Sequence, residues 1–162
     1  MPEMTLLGWF HTVLGVVALV SAFYTLYHHK IISLNQISGR IYILVTLIVA
    51  GSALGIYNQG GFGVAHWLAV LTLVAVFGGM LMETLQFFGK YSKYFQMLGY
   101  SSTLLFHMIP AITDFLRRLP VGDPFVDSFD DPLILSFHLL FFVIYLGGII
   151  TQGVWLGKRQ VI

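Results

Sequence analysis

The chain has 162 residues, of which 57% are hydrophobic and only 9% charged, with a formal net charge of +1. Soluble domains carry about 25% charged residues, so a water-coated surface is excluded and a lipid bilayer is the expected surrounding. No basic stripe is present, so no nucleic-acid partner is expected, and the lack of cysteine excludes disulfides, thiolate catalysis and Cys-ligated zinc or iron–sulfur sites.

Residues 1–12 contain Glu3 but no Lys or Arg. The positive start of a signal peptide is therefore missing. The small residues around Ala18 and Ala22 sit inside an apolar run and read as a helix face. That run, 6–27, is the first predicted span. Gly8 and Gly15 flank His11 at i−3 and i+4 and share its face. His28, His29 and Lys30 close the span, where a helix C-terminus at headgroup level favours cationic and polar groups.

Asn35, Ser38 and Gly39 separate this span from the second, 41–57, which is short. Gly51 and Gly55 form a GxxxG pair there and predict a close helix contact. Asn58-Gln59-Gly60-Gly61 breaks the chain again. The third span, 63–88, has Gly63 three residues before His66, with Glu83 and Gln86 near its far end. Glu83 reads as a packing or snorkelling residue, in preference to a proton-handling carboxylate for quinone chemistry.

The fourth span, 95–115, carries His107 with Thr103 and Ala111 four residues either side. Asp114 lies seven residues after His107, as a partner for it or as a helix end. Arg117 and Arg118 follow. Pro120, Gly122, Pro124 and Pro132 bracket a loop with Asp123, Asp127, Asp130 and Asp131, which has no calcium-loop spacing and reads as solvated. The fifth span, 132–156, contains His138. Tyr42, Tyr100 and Tyr145 read as packing groups with paired hydroxyls. Met80, Met82, Met97 and Met108 read as gap fillers.

A spanning helix needs about 20 apolar residues. Continuous rather than alternating apolar runs favour helices over a barrel. The expected fold is all-α: a polytopic transmembrane bundle of about five spans, forming one membrane domain over 1–162. One side holds Lys30, Arg40, Lys90, Lys93, Lys158 and Arg159; the other holds Arg117, Arg118 and most acids. The positive-inside rule then puts the N-terminus and acidic loop outside and the C-terminus in the cytoplasm. Trp9, Trp67, Trp155 and tyrosines near span ends suit an interfacial belt.

Ionisable groups inside a membrane are costly and therefore functional candidates. Four spans hold one such histidine each: His11, His66, His107 and His138. At 1.5 Å per residue, His11, His66 and His138 lie about 5–9 Å from the outer ends of their spans, and His107 about 12 Å. All four fall in the outer half although the chain reverses between spans. Imidazole ligates haem iron, zinc, copper and iron. Two facing histidines with small residues beside them make a haem slot, and Arg117 and Arg118 offer a basic exit for propionates. Three readings stay open: a haem b held by these histidines; a single Zn, Cu or Fe ion on the same imidazoles; or interhelical hydrogen bonds alone.

The segments His11-Thr-Val-Leu-Gly15, Ser38-Gly39-Arg40-Ile41-Tyr42 and His66 through Thr72-Leu73 resemble a widespread bacterial family of small polytopic membrane proteins of unknown function. The likeness covers about residues 8–118 and rests on short motifs. In that family a His precedes the Gly-Arg-x-Tyr element and His-Arg pairs open the fourth span. Here those places read Asn35-Gln36-Ile37-Ser38 and Tyr91-Ser92-Lys93-Tyr94. His11 and His66 are the matching positions. The architecture is also similar to b-type membrane cytochromes, by analogy of fold only.

The function expected from these residues is electron transfer by a haem b protein near the periplasmic face of the bacterial inner (cytoplasmic) membrane. Its partners would be the lipid bilayer and quinol or a periplasmic redox protein. A non-haem metal-site enzyme and a non-catalytic subunit or assembly factor are the alternatives. Oligomeric state has no signature in the chain.

Overall fold

The structure, a computed structural model, describes residues 5–57 and 61–160. Asn58, Gln59 and Gly60, expected to break the chain, lie outside the described residues. Among those described are five α-helices: α1 (Leu6–His29), α2 (Ile37–Ala53), α3 (Val64–Leu85), α4 (Ser92–Arg118) and α5 (Pro132–Gln160). A short 3-10 turn, Gly89–Tyr91, leads into α4.

Local chemistry sets the helix ends. Thr5 caps α1 by accepting from the Gly8 amide at 3.1 Å. Lys30 ends it in a left-handed conformation, φ 68°, and returns its N–H to Leu26. Asp131 accepts from the Leu133 amide at 2.8 Å, and Pro132 supplies the first turn of α5, where a missing N–H costs nothing.

Several boundaries differ from the sequence expectation. The second apolar run starts helical hydrogen bonding four residues early, because Arg40 N–H already bonds Gln36. It turns out of the helix at Leu54 and Gly55. The third ends at Leu85, since Gln86 adopts a left-handed conformation, φ 47°. The fourth and fifth are longer than their apolar cores, to Arg118 and Gln160. Their polar ends continue the helix because no breaker intervenes.

Helices α1, α3 and α5 are each long and apolar enough to cross a membrane. Much of their surface points outward: Val13, Val20, Phe23, Leu139, Ile144 and Ile150 are all exposed. In water so much contiguous apolar surface would drive aggregation; in lipid it is the normal lining of a helix. The chain is thus a helical bundle with the surface of a membrane protein. Helix α2 has 17 residues and is shorter. Helix α4 is the central element, packed against α1, α3 and α5. Its inward side is polar, with Ser92, Gln96, Ser101, Thr103 and His107 buried.

The core gathers Ala18 and Ala22 of α1, Ile32 of the connecting loop, Tyr42 and Ile43 of α2, Val76 of α3 and Tyr100 of α4. The close helix contact lies elsewhere than the GxxxG pair. Gly51 faces open space, and Gly55 meets a Leu7 methyl and the Ser52 carbonyl, both at an ordinary contact distance of 3.5 Å. Instead α3 meets α4 through Gly79 and Gly99. A Cβ on Gly79 would stand 2.6 Å from the Tyr100 ring, and one on Gly99 would stand 2.8 Å from the Ala75 carbonyl.

The acidic loop is not simply solvated. Val126 is buried with Leu116 and Ile134. Its amide bonds the Leu116 carbonyl at 3.3 Å, and the Phe125 amide bonds Leu119 at 3.0 Å. The apolar side of the loop therefore plugs the end of α4 and α5, while Asp130 stays on the exposed side.

Candidate functional site

Two of the four histidines, His11 on α1 and His107 on α4, each contact a hydroxyl of α2, Ser52 and Thr46 respectively. His107 Nε2 contacts the Thr46 hydroxyl at 3.1 Å. Tyr42, one helical turn before Thr46 on α2, contacts the Thr103 hydroxyl at 2.6 Å. Tyr42, Thr46 and Thr103 are 0% exposed and His107 8%, so this is a buried track. A buried hydroxyl without a partner costs about 1–3 kcal/mol, so each link of the track also holds the bundle together.

The direction of the Tyr42–Thr103 hydrogen bond follows from the one beyond it. Thr103 donates to the Tyr100 carbonyl at 2.7 Å, so its oxygen accepts from Tyr42. The buried groups line up in the order His107, Thr46, Tyr42, Thr103.

The same reasoning assigns the other rings. Ser52 donates to Val49 at 2.9 Å, so its oxygen accepts from His11 Nδ1–H at 3.1 Å. His11 Nε2 is thereby the lone-pair nitrogen. Thr113 donates to Ile109, so His138 donates through Nε2–H, to Thr113 at 3.0 Å and to the Ile109 carbonyl at 3.3 Å. His138 thus ties α5 to α4, apart from the His11–His107 pair. His66 accepts from the Gly63 amide at Nδ1, 3.1 Å, and caps α3. Its ring stacks on Phe62 and lies against Tyr57. Its proton is on Nε2, a buried nitrogen without a hydrogen-bond partner.

Among the described residues no three of His, Asp and Glu converge as a metal site. Haem iron and metal ions need a ring nitrogen with a free lone pair, the other nitrogen donating to an anchor. His11 has that arrangement. His66 and His138 hold a proton on Nε2, so ligation through that nitrogen needs the ring to change its partners. Each arginine expected at the propionates has a partner but also a buried Nε without a hydrogen-bond acceptor. Arg117 lies over the Phe129 ring, 3.4 Å from its centre, and donates to the Asp127 carbonyl. Arg118 faces Asp114 at 3.5 Å.

The opposite end of the bundle holds what the sequence undervalued. The Glu83 carboxyl accepts from the Ser33 hydroxyl, from the Leu34 amide at 2.9 Å and from the Tyr100 hydroxyl at 2.9 Å. Gln96 donates to the Ile32 carbonyl at 3.0 Å, and Arg40 to the Leu34 carbonyl at 2.7 Å. The α1–α2 loop is thus stitched to α3 and α4. The only hint in the chain was a carboxyl inside an apolar run.

Comparison with protein families, with curated proteins and with solved structures returns no match for this chain.

Proposed function

We propose that this chain is a five-span membrane protein that handles protons in the bilayer interior through His11, His107 and the hydroxyls beside them. The reading rests on the buried line of His107, Thr46, Tyr42 and Thr103, in which His107 contacts Thr46 and Tyr42 contacts Thr103; the relay takes Thr46 to donate to Tyr42 and to accept from His107. A proton arriving at His107 Nδ1 releases the Nε2 proton to Thr46, which releases its own to Tyr42, and Tyr42 to Thr103. The track ends on the Tyr100 carbonyl. Net transfer beyond Thr103 needs a further acceptor in place of the Tyr100 carbonyl that Thr103 now bonds. Buried protonatable groups in lipid are costly to keep and mark ion and proton pathways.

In this reading the N-terminus and acidic loop lie outside a bacterial inner membrane and the C-terminus lies in the cytoplasm. The placement of Lys30, Arg40, Lys90, Lys93, Lys158 and Arg159 at one end supports that orientation. Cysteines introduced at Ser128 and Lys158 should react with impermeant reagent from opposite sides, Ser128 from outside. Reaction of both from one side removes the five-span topology.

The functional test uses proteoliposomes carrying a trapped pH dye and a potassium diffusion potential. The intact chain should carry proton flux, and Thr46→Val and Tyr42→Phe should suppress it. Flux no greater than in empty liposomes overturns the reading.

A second reading is electron transfer by haem b near the outer face, exchanging with quinol or a periplasmic protein. The lone pair on His11 Nε2, with Nδ1–H anchored on Ser52, favours it, since ligating histidines are held in this way. His107 on a facing helix would be the second ligand, or a Zn, Cu or Fe ion would use the same pair. A Soret band in the detergent-purified chain, lost in His11→Ala and kept in His28→Ala, supports haem. A colourless protein without stoichiometric metal excludes both. Absence of flux as well would leave the imidazoles as interhelical pins in a non-catalytic subunit or assembly factor.

A further inference from the structure

At the end where α1, α3 and α5 finish and α4 begins, the chain encloses a cavity of about 470 Å³. Its lining includes Lys30, Lys93 and Arg159, together with His28 and His29. The one carboxyl in the lining is Glu83, and its two oxygens already accept from Ser33, Leu34 and Tyr100. Among the described residues the one ion pair is Arg118–Asp114, outside this cavity. The three basic side chains therefore line one cavity, and among the described residues no carboxylate is paired to them.

Their remaining contacts leave donors available. Lys30 gives one N–H to the Tyr27 carbonyl at 2.8 Å, and an ammonium group has three. The Arg159 guanidinium lies over the Trp155 ring, 4.3 Å from its centre. Stacking uses the face of the guanidinium and leaves its edge for a two-pronged bond to an anion. The C-terminal dipoles of three helices oppose an anion here, and the N-terminus of α4 favours one. Three full charges outweigh these partial ones. Gln36, also in the lining, has a buried Oε1 with no donor, which a hydroxyl on the ligand would satisfy.

We infer that this cavity binds a phosphate-bearing anion, held by Lys30, Lys93 and Arg159. The cavity opens at an end of the bundle, where lipid headgroups lie in a spanning protein. Basic pockets between helices at a membrane surface suit anionic headgroups. A phospholipid headgroup and a free phosphate share the chemistry, and size and anchoring tell them apart. The inference is independent of the proton track, which runs through other residues.

The test uses the full chain purified in a neutral detergent. Binding is measured by calorimetry with short-chain phosphatidylglycerol, glycerol phosphate, inorganic phosphate and, as a control, short-chain phosphatidylcholine. Phosphatidylglycerol alone binding identifies the lipid as the source. Glycerol phosphate or inorganic phosphate binding as tightly identifies the free anion. In either case Lys93→Gln and Arg159→Gln should each weaken affinity by about tenfold, added salt should weaken it further, and Arg118→Gln at the other end should leave it unchanged. These variants are exposed and should fold, which thermal unfolding checks. No binding by any anionic probe, or affinity that survives neutralising Lys30, Lys93 and Arg159 together, overturns the inference. Equal binding of phosphatidylcholine, insensitive to those changes, does the same.

Discussion

At one end of the bundle a single carboxyl, Glu83, gathers donors from the α1–α2 loop and from α4. At the other, His11, His107 and His138 each meet a hydroxyl on a neighbouring helix. The first end is further locked by Gly39 beneath Ser33 and by Gly79 against Tyr100. The second has no such close backbone contact at the described Gly15, Gly51 or Gly63, which all face open space. A carboxyl shared among several donors, with backbone packed against backbone, fixes one geometry. A neutral imidazole facing a hydroxyl can exchange donor and acceptor roles at small cost. The bundle thus combines an end locked by close packing with an end held by single ring–hydroxyl contacts, which the proposed function takes as the place where protons move.

The largest expected effect comes from breaking the rigid end. A methyl on Gly39 meets the Ser33 carbonyl, a backbone atom that cannot turn aside. Gly39→Ala should cost about 3 kcal/mol, read as a lowered midpoint of thermal unfolding in detergent. Gly15→Ala, which meets nothing within 4 Å, should leave that midpoint unchanged or raise it slightly. Equal effects would erase the contrast between the ends.

Next in size is Glu83→Ala, which strips an acceptor from Ser33, Leu34 and Tyr100 at once. About 2 kcal/mol is expected, since hydrogen bonds within membrane bundles measure up to roughly 1.7 kcal/mol each and average less. Glu83→Gln keeps one acceptor oxygen and should lose less. Proteolysis should become faster at the α1–α2 loop in the Ala variant, and an unchanged cleavage pattern would contradict the clamp.

How much of this was legible in the sequence differs by length scale. The apolar runs located all five helices because each run is continuous and its breaks carry Gly, Pro or Asn. Helix α2 began early, α4 extended at both ends, from Ser92, whose hydroxyl accepts from the Phe88 amide, to Arg118, and α5 ran on to Gln160, while α2 and α3 stopped short at Ala53 and Leu85. The sequence placed all four histidines in the outer half, with His107 a few ångströms deeper than His11, His66 and His138. Which rings meet was not legible. Ser52 and His11 are 41 residues apart, and Thr46 and His107 are 61 apart, so only the packing of α2 brings them together. For the same reason Glu83 read as a packing residue: its partners Ser33 and Leu34 are about 50 positions away. His66 read as a member of the cluster but serves as the cap of α3, a role that its spacing of three from Gly63 permits.

A smaller effect separates function from stability at the histidine end. Tyr42→Phe removes one hydroxyl, while Thr103 keeps its bond to the Tyr100 carbonyl. It should cost about 1 kcal/mol yet suppress proton flux in proteoliposomes. Smallest of all, His138→Ala should cost about 0.6 kcal/mol, because Thr113 remains bonded to Ile109, and flux should persist. If His138→Ala abolishes flux while Tyr42→Phe does not, the track has been traced through the wrong helices.

The directed hydrogen-bond track is the centre of this account, and imidazole nitrogen spectra test it most directly. The full chain, labelled with ¹⁵N-histidine and placed in lipid nanodiscs, would be recorded at neutral pH, each ring assigned by single substitution. The expected pattern is a proton on Nδ1 for His11 and on Nε2 for His66, His107 and His138. A proton on Nδ1 of His107, with Nε2 bare toward Thr46, would reverse the track and contradict the account.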